Sequence, residues 1–164
     1  MNRFIADAML GKLALWMRVI GCDVLYFPNI SDDRISQLAD SDNRILLTRD
    51  TRLIRRVINR NRSFLVIGDH YPDQFRQVVQ AFDIDPARYL LSRCLRCNEL
   101  LVVTEKTGLK DRIPPYVFET LDHFKTCPHC GKIYWKATHG YVSFTVKMEK
   151  QNSELRIQNS VENR

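Results

Sequence analysis

The sequence predicts an α/β domain built on a parallel sheet with helices on both faces, followed by a smaller cysteine-rich domain. Three observations predict it. Short apolar runs alternate with amphipathic helical stretches as far as Phe82, the order that builds a parallel sheet covered on both sides. Three of the four runs stop at an aspartate: Asp7, Asp50 and Asp69. Beyond Pro86 the alternation ceases, and two Cys-x-x-Cys pairs take over.

The first strand is Phe4–Ala6, closed by Asp7. The helix after it carries Leu10, Leu13, Ala14, Met17 and Ile20 on one face, the spacing of a core-facing stripe. Gly21 suits its C′ position. Val24–Phe27 is the second strand, stopped by Pro28 and Asn29. Ser31, Asp32 and Asp33 stand where the next helix needs an N-cap, and Ile35, Leu38 and Ala39 face inward. Ile45–Thr48 is the third strand, built on the short apolar run Ile45–Leu47 that a strand buried on both faces requires. A helix over Thr51–Arg62 follows, with Leu53, Ile54, Val57 and Ile58 inside. Phe64–Ile67 is the fourth strand, and Tyr71-Pro72-Asp73 opens a helix that buries Phe75, Val78, Val79 and Phe82.

In the second region Leu100–Val103, Ile133–Trp135 and Tyr141–Val146 read as strands, and Tyr116–Phe124 as a helical turn after Pro114-Pro115. The expected organisation is one α/β domain over residues 1–88, a small domain over 89–148 and a polar tail over 149–164. That tail has no clear core stripe, and helix and disorder both remain open for it. The stretch Met1–Gly21 is broken by Asp7, Lys12 and Arg18, so neither a secretory signal nor a membrane span fits. A cytoplasmic location is the expectation.

The chain carries 25 Lys and Arg against 19 Asp and Glu, a formal net charge of +6. That balance favours a polyanionic partner such as nucleic acid, and fits a merely basic soluble protein as well. Much of the excess lies in Arg49, Arg52, Arg55, Arg56, Arg60 and Arg62. Arginine matches phosphate oxygens bidentately, and a solvated helix face is the plainer alternative. Lys12 and Arg18, on the first helix just beyond Asp7, are candidates for the same backbone. Met9, Trp16 and Met17 read as packing.

In a parallel sheet all carboxyl ends point one way, and ligands bind outside them. Asp7, Asp50 and Asp69 end strands there, and Asp32 and Asp33 follow the remaining strand after a short loop. Clustered carboxylates repel, and a divalent cation relieves the repulsion. Mg²⁺ and Mn²⁺ take oxygen ligands and support hydrolysis of a phosphodiester. Asp7 and Asp50 are the candidate ligands, with Asp32 or Asp33 completing the catalytic set and Asp69 a further candidate. The structural alternative is that each aspartate is an N-cap, worth about 1 kcal/mol; Asp73 is open to either reading.

Cys94-x-x-Cys97 with Cys127-x-x-Cys130 is the most specific signal. Four thiolates suit tetrahedral Zn²⁺ and leave no open position, so the ion is structural. His129 and His139 are alternative ligands, and His123 reads as a surface residue. The remaining thiol, Cys22, reads as a small buried apolar side chain.

Taken together, RFIADAMLGKLALWMR from Arg3, ILLTRD from Ile45, SRCLRCN from Ser92, PPYVFE from Pro114 and CPHCGKIYW from Cys127 resemble the Mut-seven C-terminal RNase family, in the same order from about Arg3 to about Gly140. That family is a PIN-like nuclease domain with an appended zinc ribbon. The resemblance implies a metal-dependent ribonuclease acting on RNA, with the PIN acidic positions at Asp7, at Asp32 or Asp33, and at Asp50, and a fourth at Asp69. Two rivals stand beside it. One is a non-catalytic zinc-ribbon RNA-binding protein whose acids are only caps. The other is a phospho-accepting receiver domain, which Asp50 after the third strand would suit. The receiver needs an acid beside Asp7 and a fifth strand–helix unit, and neither is in the sequence.

Overall fold

The computed structural model describes residues 2–56, 62–135, 146–151 and 154–159. It divides into two compact units, Met1–Asn98 and Glu99–Arg164. Among the described residues no helix is long and apolar enough to cross a membrane.

The first unit is a four-stranded parallel sheet. Its strands are β1 (Arg3–Ala6), β2 (Asp23–Tyr26), β3 (Ile45–Thr48) and β4 (Ser63–Leu65), in the order β2-β1-β3-β4. The helices are α1 (Gly11–Val19), α2 (Asp32–Ser41), α3 (Thr51–Arg56) and α4 (Tyr71–Ala81). The alternation of side chains along a strand divides the core. Ile5 and Leu46 join Ile35, Ala39 and Leu53 beneath α2 and α3. Phe4 turns the other way and meets Phe82, at the end of α4, edge to face at 5.2 Å. Helices therefore cover both faces, as the apolar runs predict. The expected helix over Thr51–Arg62 is described as far as Arg56; Val57, Ile58 and Arg60 lie outside the described residues.

Local chemistry fixes the turns. Gly21 has φ +84°, and a side chain there would collide with the Tyr89 carbonyl. Its N–H bonds the Arg18 carbonyl and the Cys22 N–H bonds Met17, closing α1 in the glycine C-cap motif. At the opposite end of the sheet from the aspartates, Asp23 gathers cations. It accepts from Arg44 Nη1 at 2.7 Å and Asn98 Nδ2 at 2.8 Å, with Arg3 and Arg93 each 3.5 Å away. Burial opposes ionisation of Asp23, but the hydrogen bonds from Arg44 and Asn98 and the charges of Arg44 and Arg93 outweigh it and hold its carboxyl below the usual range.

The second unit holds β5 (Val102–Thr104), α5 (Pro115–Thr120), β6 (Phe124–Thr126) and β7 (Ile133–Trp135), with an antiparallel sheet in the order β5-β6-β7. Leu109, Ile113, Val117, Phe124 and Ile133 form its core. The helix expected over Tyr116–Phe124 stops at Thr120, because Phe124 is needed in β6, opposite Trp135. Most of the strand expected over Tyr141–Val146 lies outside the described residues. The tail forms an antiparallel pair, β8 (Val146–Gln151) and β9 (Glu154–Asn159), with Met148 opposite Ile157 and Glu149 opposite Arg156. Its signal was an alternation of period two, Val146-x-Met148 and Leu155-x-Ile157, around Asn152-Ser153, which a search for a helical stripe passes over.

Candidate active site and metal centre

The order β2-β1-β3-β4 reverses direction between β1 and β3, and the crevice outside such a switch point is where open α/β sheets bind ligands. Asp7 is the residue after β1, and Asp50 stands two residues after β3. The main chain of Asp7 extends the β1–β3 ladder, its N–H bonding the Leu47 carbonyl at 2.9 Å.

Thr48 joins the two acids. Its side chain is fully buried. The hydroxyl donates to Asp7 Oδ2 at 2.7 Å and accepts the Asp50 N–H at 2.9 Å. A threonine at the end of a strand, two residues before an aspartate, is the signal in the sequence that points to this link. Asp7 precedes a 3₁₀ turn, Ala8–Leu10, but its side chain makes no cap bond, so the cap reading does not account for it. For Asp50 it does in part: Oδ1 accepts the N–H groups of Arg52 at 2.7 Å and Leu53 at 3.4 Å. Among the described residues, Asp7 Oδ1 and Asp50 Oδ2 have no protein partner.

The loop beyond Asp7 is held by Tyr26, whose hydroxyl donates to the Ala8 carbonyl at 3.1 Å. Gly11 makes room for it, since a Cβ there would lie 2.6 Å from that hydroxyl oxygen.

The other acids stand differently. The cap of α2 is Ser31, whose Oγ accepts the Arg34 N–H at 3.4 Å. Of the three cap candidates Ser31, Asp32 and Asp33, the helix uses Ser31; both aspartates lie exposed in the first turn. Asp32 is 3.6 Å from Arg56 Nη1, and both line a cavity of about 340 Å³ with Asp33 and Asp40. Asp69 is almost fully exposed and ion-paired with Arg49. Asp73 pairs with His70 at 3.0 Å and Arg76 at 2.9 Å, and the His70 hydrogen bond leads in lowering its carboxyl pKa. Among the described residues, the aspartates form no group of three whose oxygens all lie within 4.8 Å of one another.

Of the expected substrate-binding cations, Lys12, Arg52, Arg55 and Arg56 are exposed and Arg49 is half-buried. Lys12 Nζ lies 5.7 Å from the centre of the Tyr71 ring, which stacks on Trp16. Arg18 is a correction. It is buried, and its guanidinium donates to the carbonyls of Val24, Leu95 and Arg96. Helical spacing gave it a basic position near Asp7; packing turned it inward to satisfy main-chain carbonyls.

The sulfur atoms of Cys94, Cys97, Cys127 and Cys130 all lie within 4.8 Å of one another, placed to hold one metal ion. The donor set fits: four thiolates about a zinc ion at about 2.3 Å each lie well inside that limit. The two knuckles share one backbone solution. The residue after each pair is left-handed, Asn98 at φ 68° and Gly131 at φ 69°. Each returns its N–H at 2.9 Å to the carbonyl of the first cysteine, Cys94 or Cys127. Glycine and asparagine adopt that conformation most readily. His123 and His129 are exposed and outside the cluster; His139 lies outside the described residues. Cys22 is buried, as expected, and burial first, opposed by Arg93 and aided by Asp23, pushes its thiol up to about 12.

No curated protein and no solved structure matches the chain. Residues 2–145 match the Mut7-C RNAse domain, a family whose description names nuclease activity on RNA, and the chain belongs to that family.

Proposed function

We propose that this protein is a metal-dependent ribonuclease of PIN type, cutting RNA phosphodiester bonds internally at the carboxyl edge of β1 and β3. The observation that carries the reading is the pairing of Asp7 and Asp50 through one buried hydroxyl at the switch point. Each carboxylate keeps one oxygen without a protein partner among the described residues, which suits ligation of Mg²⁺ or Mn²⁺. Asp7 and Asp50 would hold the ion, with Asp32 or Asp33 completing the set. When bound, such an ion lowers the pKa of water and offsets charge on the leaving oxygen. The chain's own part is to orient the Asp7 carboxylate and anchor the Asp50 main chain through Thr48, and to hold the RNA backbone with Lys12, Arg49, Arg52, Arg55 and Arg56. Asp69 enters as a weaker candidate, since its carboxylate neutralises Arg49. The four-cysteine unit, loaded with zinc, would add RNA-binding surface. The location consistent with this reading is the cytoplasm.

The cap bonds of Asp50 favour one alternative, a non-catalytic RNA-binding protein. Asp50→Asn separates the two, because asparagine caps a helix about as well as aspartate but lacks the carboxylate charge by which proteins hold Mg²⁺. Purified wild-type protein with Mn²⁺ should cut labelled RNA, and Asp50→Asn should bind the RNA without cutting it. Undiminished cleavage by that variant would count against the assignment.

A further inference from the structure

Beside the acidic edge lies a second feature that the nuclease reading does not use. Phe27, the residue after β2, is 43% exposed although it is a large aromatic side chain. With Asn29, Ile30, Ser31, Arg34 and Leu38 it lines a groove of about 450 Å³. That volume lies in the range of small-ligand sites, and the lining has their character: apolar walls with a few polar groups. Ile30 and Leu38 are braced against the core cluster of Ile35, Ala39 and Leu53, so the floor is fixed. Arg34 adds a cation at the rim.

Position selects the occupant. β2 is the neighbour of β1 in the sheet, about 4.8 Å away, so the groove opens one strand from Asp7. Ser31 joins it directly to Asp32 and Asp33. A chain of phosphates held through a divalent cation on Asp7 and Asp50 would carry its bases past this point. An exposed aromatic face, an amide, a hydroxyl and a guanidinium are the groups that receive an unpaired base: stacking on the ring, hydrogen bonds at the edge, and a cation for the adjoining phosphate. We propose that this groove seats one unstacked nucleobase of a single-stranded RNA next to the phosphate held at the acidic edge, with Phe27 as the stacking face. The proposal rests on RNA being the substrate and adds where a base is gripped.

The test is binding in Ca²⁺, a hard cation with the oxygen-ligand preference of the acidic edge, with no chelator present so that the zinc stays bound, and each strand is checked on a gel to be intact. Two fluorescein-labelled 12-nucleotide single strands are compared by anisotropy, one with bases and one with abasic residues at its centre. The wild-type protein should bind the base-bearing strand about ten-fold more tightly, the scale of one base–aromatic stack. Phe27→Leu, which keeps an apolar side chain, should bring that ratio close to one without weakening the abasic strand. Phe27→Trp should preserve the ratio, and shows that the site tolerates substitution. A ratio unchanged by Phe27→Leu, an equal loss on both strands, or no base preference in the wild type overturns the seat and leaves the groove to a protein side chain or a second copy of the chain. Cleavage with Mn²⁺ is scored separately. Cutting without a Phe27-dependent ratio sinks the seat alone, and a Phe27-dependent ratio without cutting sinks the nuclease reading alone.

Discussion

Replacing Thr48 by valine keeps the shape of a fully buried side chain and deletes one hydroxyl. That hydroxyl makes a 2.7 Å bond to the Asp7 carboxylate and receives a 2.9 Å bond from the Asp50 main chain. A hydrogen bond to a charged acceptor contributes about 2 kcal/mol and a neutral one about 1 kcal/mol. The variant should therefore lose about 3 kcal/mol, a fall in Tm of about 6–12 °C for a chain of this size. Thr48→Ser keeps the hydroxyl and should recover most of it. In a Mn²⁺-dependent RNA cleavage assay at a temperature where both variants are folded, Thr48→Val should lower kcat by about 10- to 100-fold, the usual effect of removing a group that orients a metal ligand. Thr48→Ser should stay within a few-fold of wild type. A Thr48→Val protein that melts within 2 °C of wild type, an interval of about 1 kcal/mol or less, would refute the bridge. Equal cleavage losses in the serine and valine variants would refute its orienting role.

Other expectations follow from the same bonds. Asp23→Asn removes the nearer of two carboxylates on the buried Arg44, leaving Asp42 at 3.3 Å, and should cost about 2 kcal/mol at pH 7, the scale of a charge-assisted hydrogen bond, read by urea unfolding. Because the folded state holds the Asp23 carboxyl below its ordinary pKa, its contribution is complete above the usual carboxylate value, about 3.9. It is lost as pH falls further through the folded value, so wild type and variant should draw together on acidification below the usual value, and a gap that widens there would contradict this. Metal analysis should find one zinc per chain, released when Cys94→Ser or a strong chelator breaks the four-thiolate set, with unfolding of the surrounding knuckles; a fully folded, metal-free protein would argue against a structural ion. After chelation at pH 8 iodoacetamide should modify the four knuckle thiols quickly, while Cys22, buried and pushed up to about 12, should react only on unfolding.

Much of the fold could be read from residues alone, because each strand is a short apolar run and each helix repeats its apolar face every three to four positions. Ile45–Thr48 and Ile133–Trp135 have the limits their patterns imply. The cysteine pairs were legible for the same reason: ligand type and spacing are local. Elements whose identity depends on a partner were not. Phe124–Thr126 is a strand because β5 and β7 flank it, and the tail is a hairpin because its two halves pair.

By itself the sequence determined that aspartates follow the first and third strands and that four thiolates come in two knuckles. Only the tertiary structure decided which charges meet. It turned Arg18 inward to main-chain carbonyls, gave Asp69 to Arg49, gathered Asp23 with Arg44 and Asn98, and set Thr48 between Asp7 and Asp50. Periodicity reports which side of an element is apolar. The partner of a polar group is chosen by register and packing between segments far apart in the chain, and neither is encoded within any one segment.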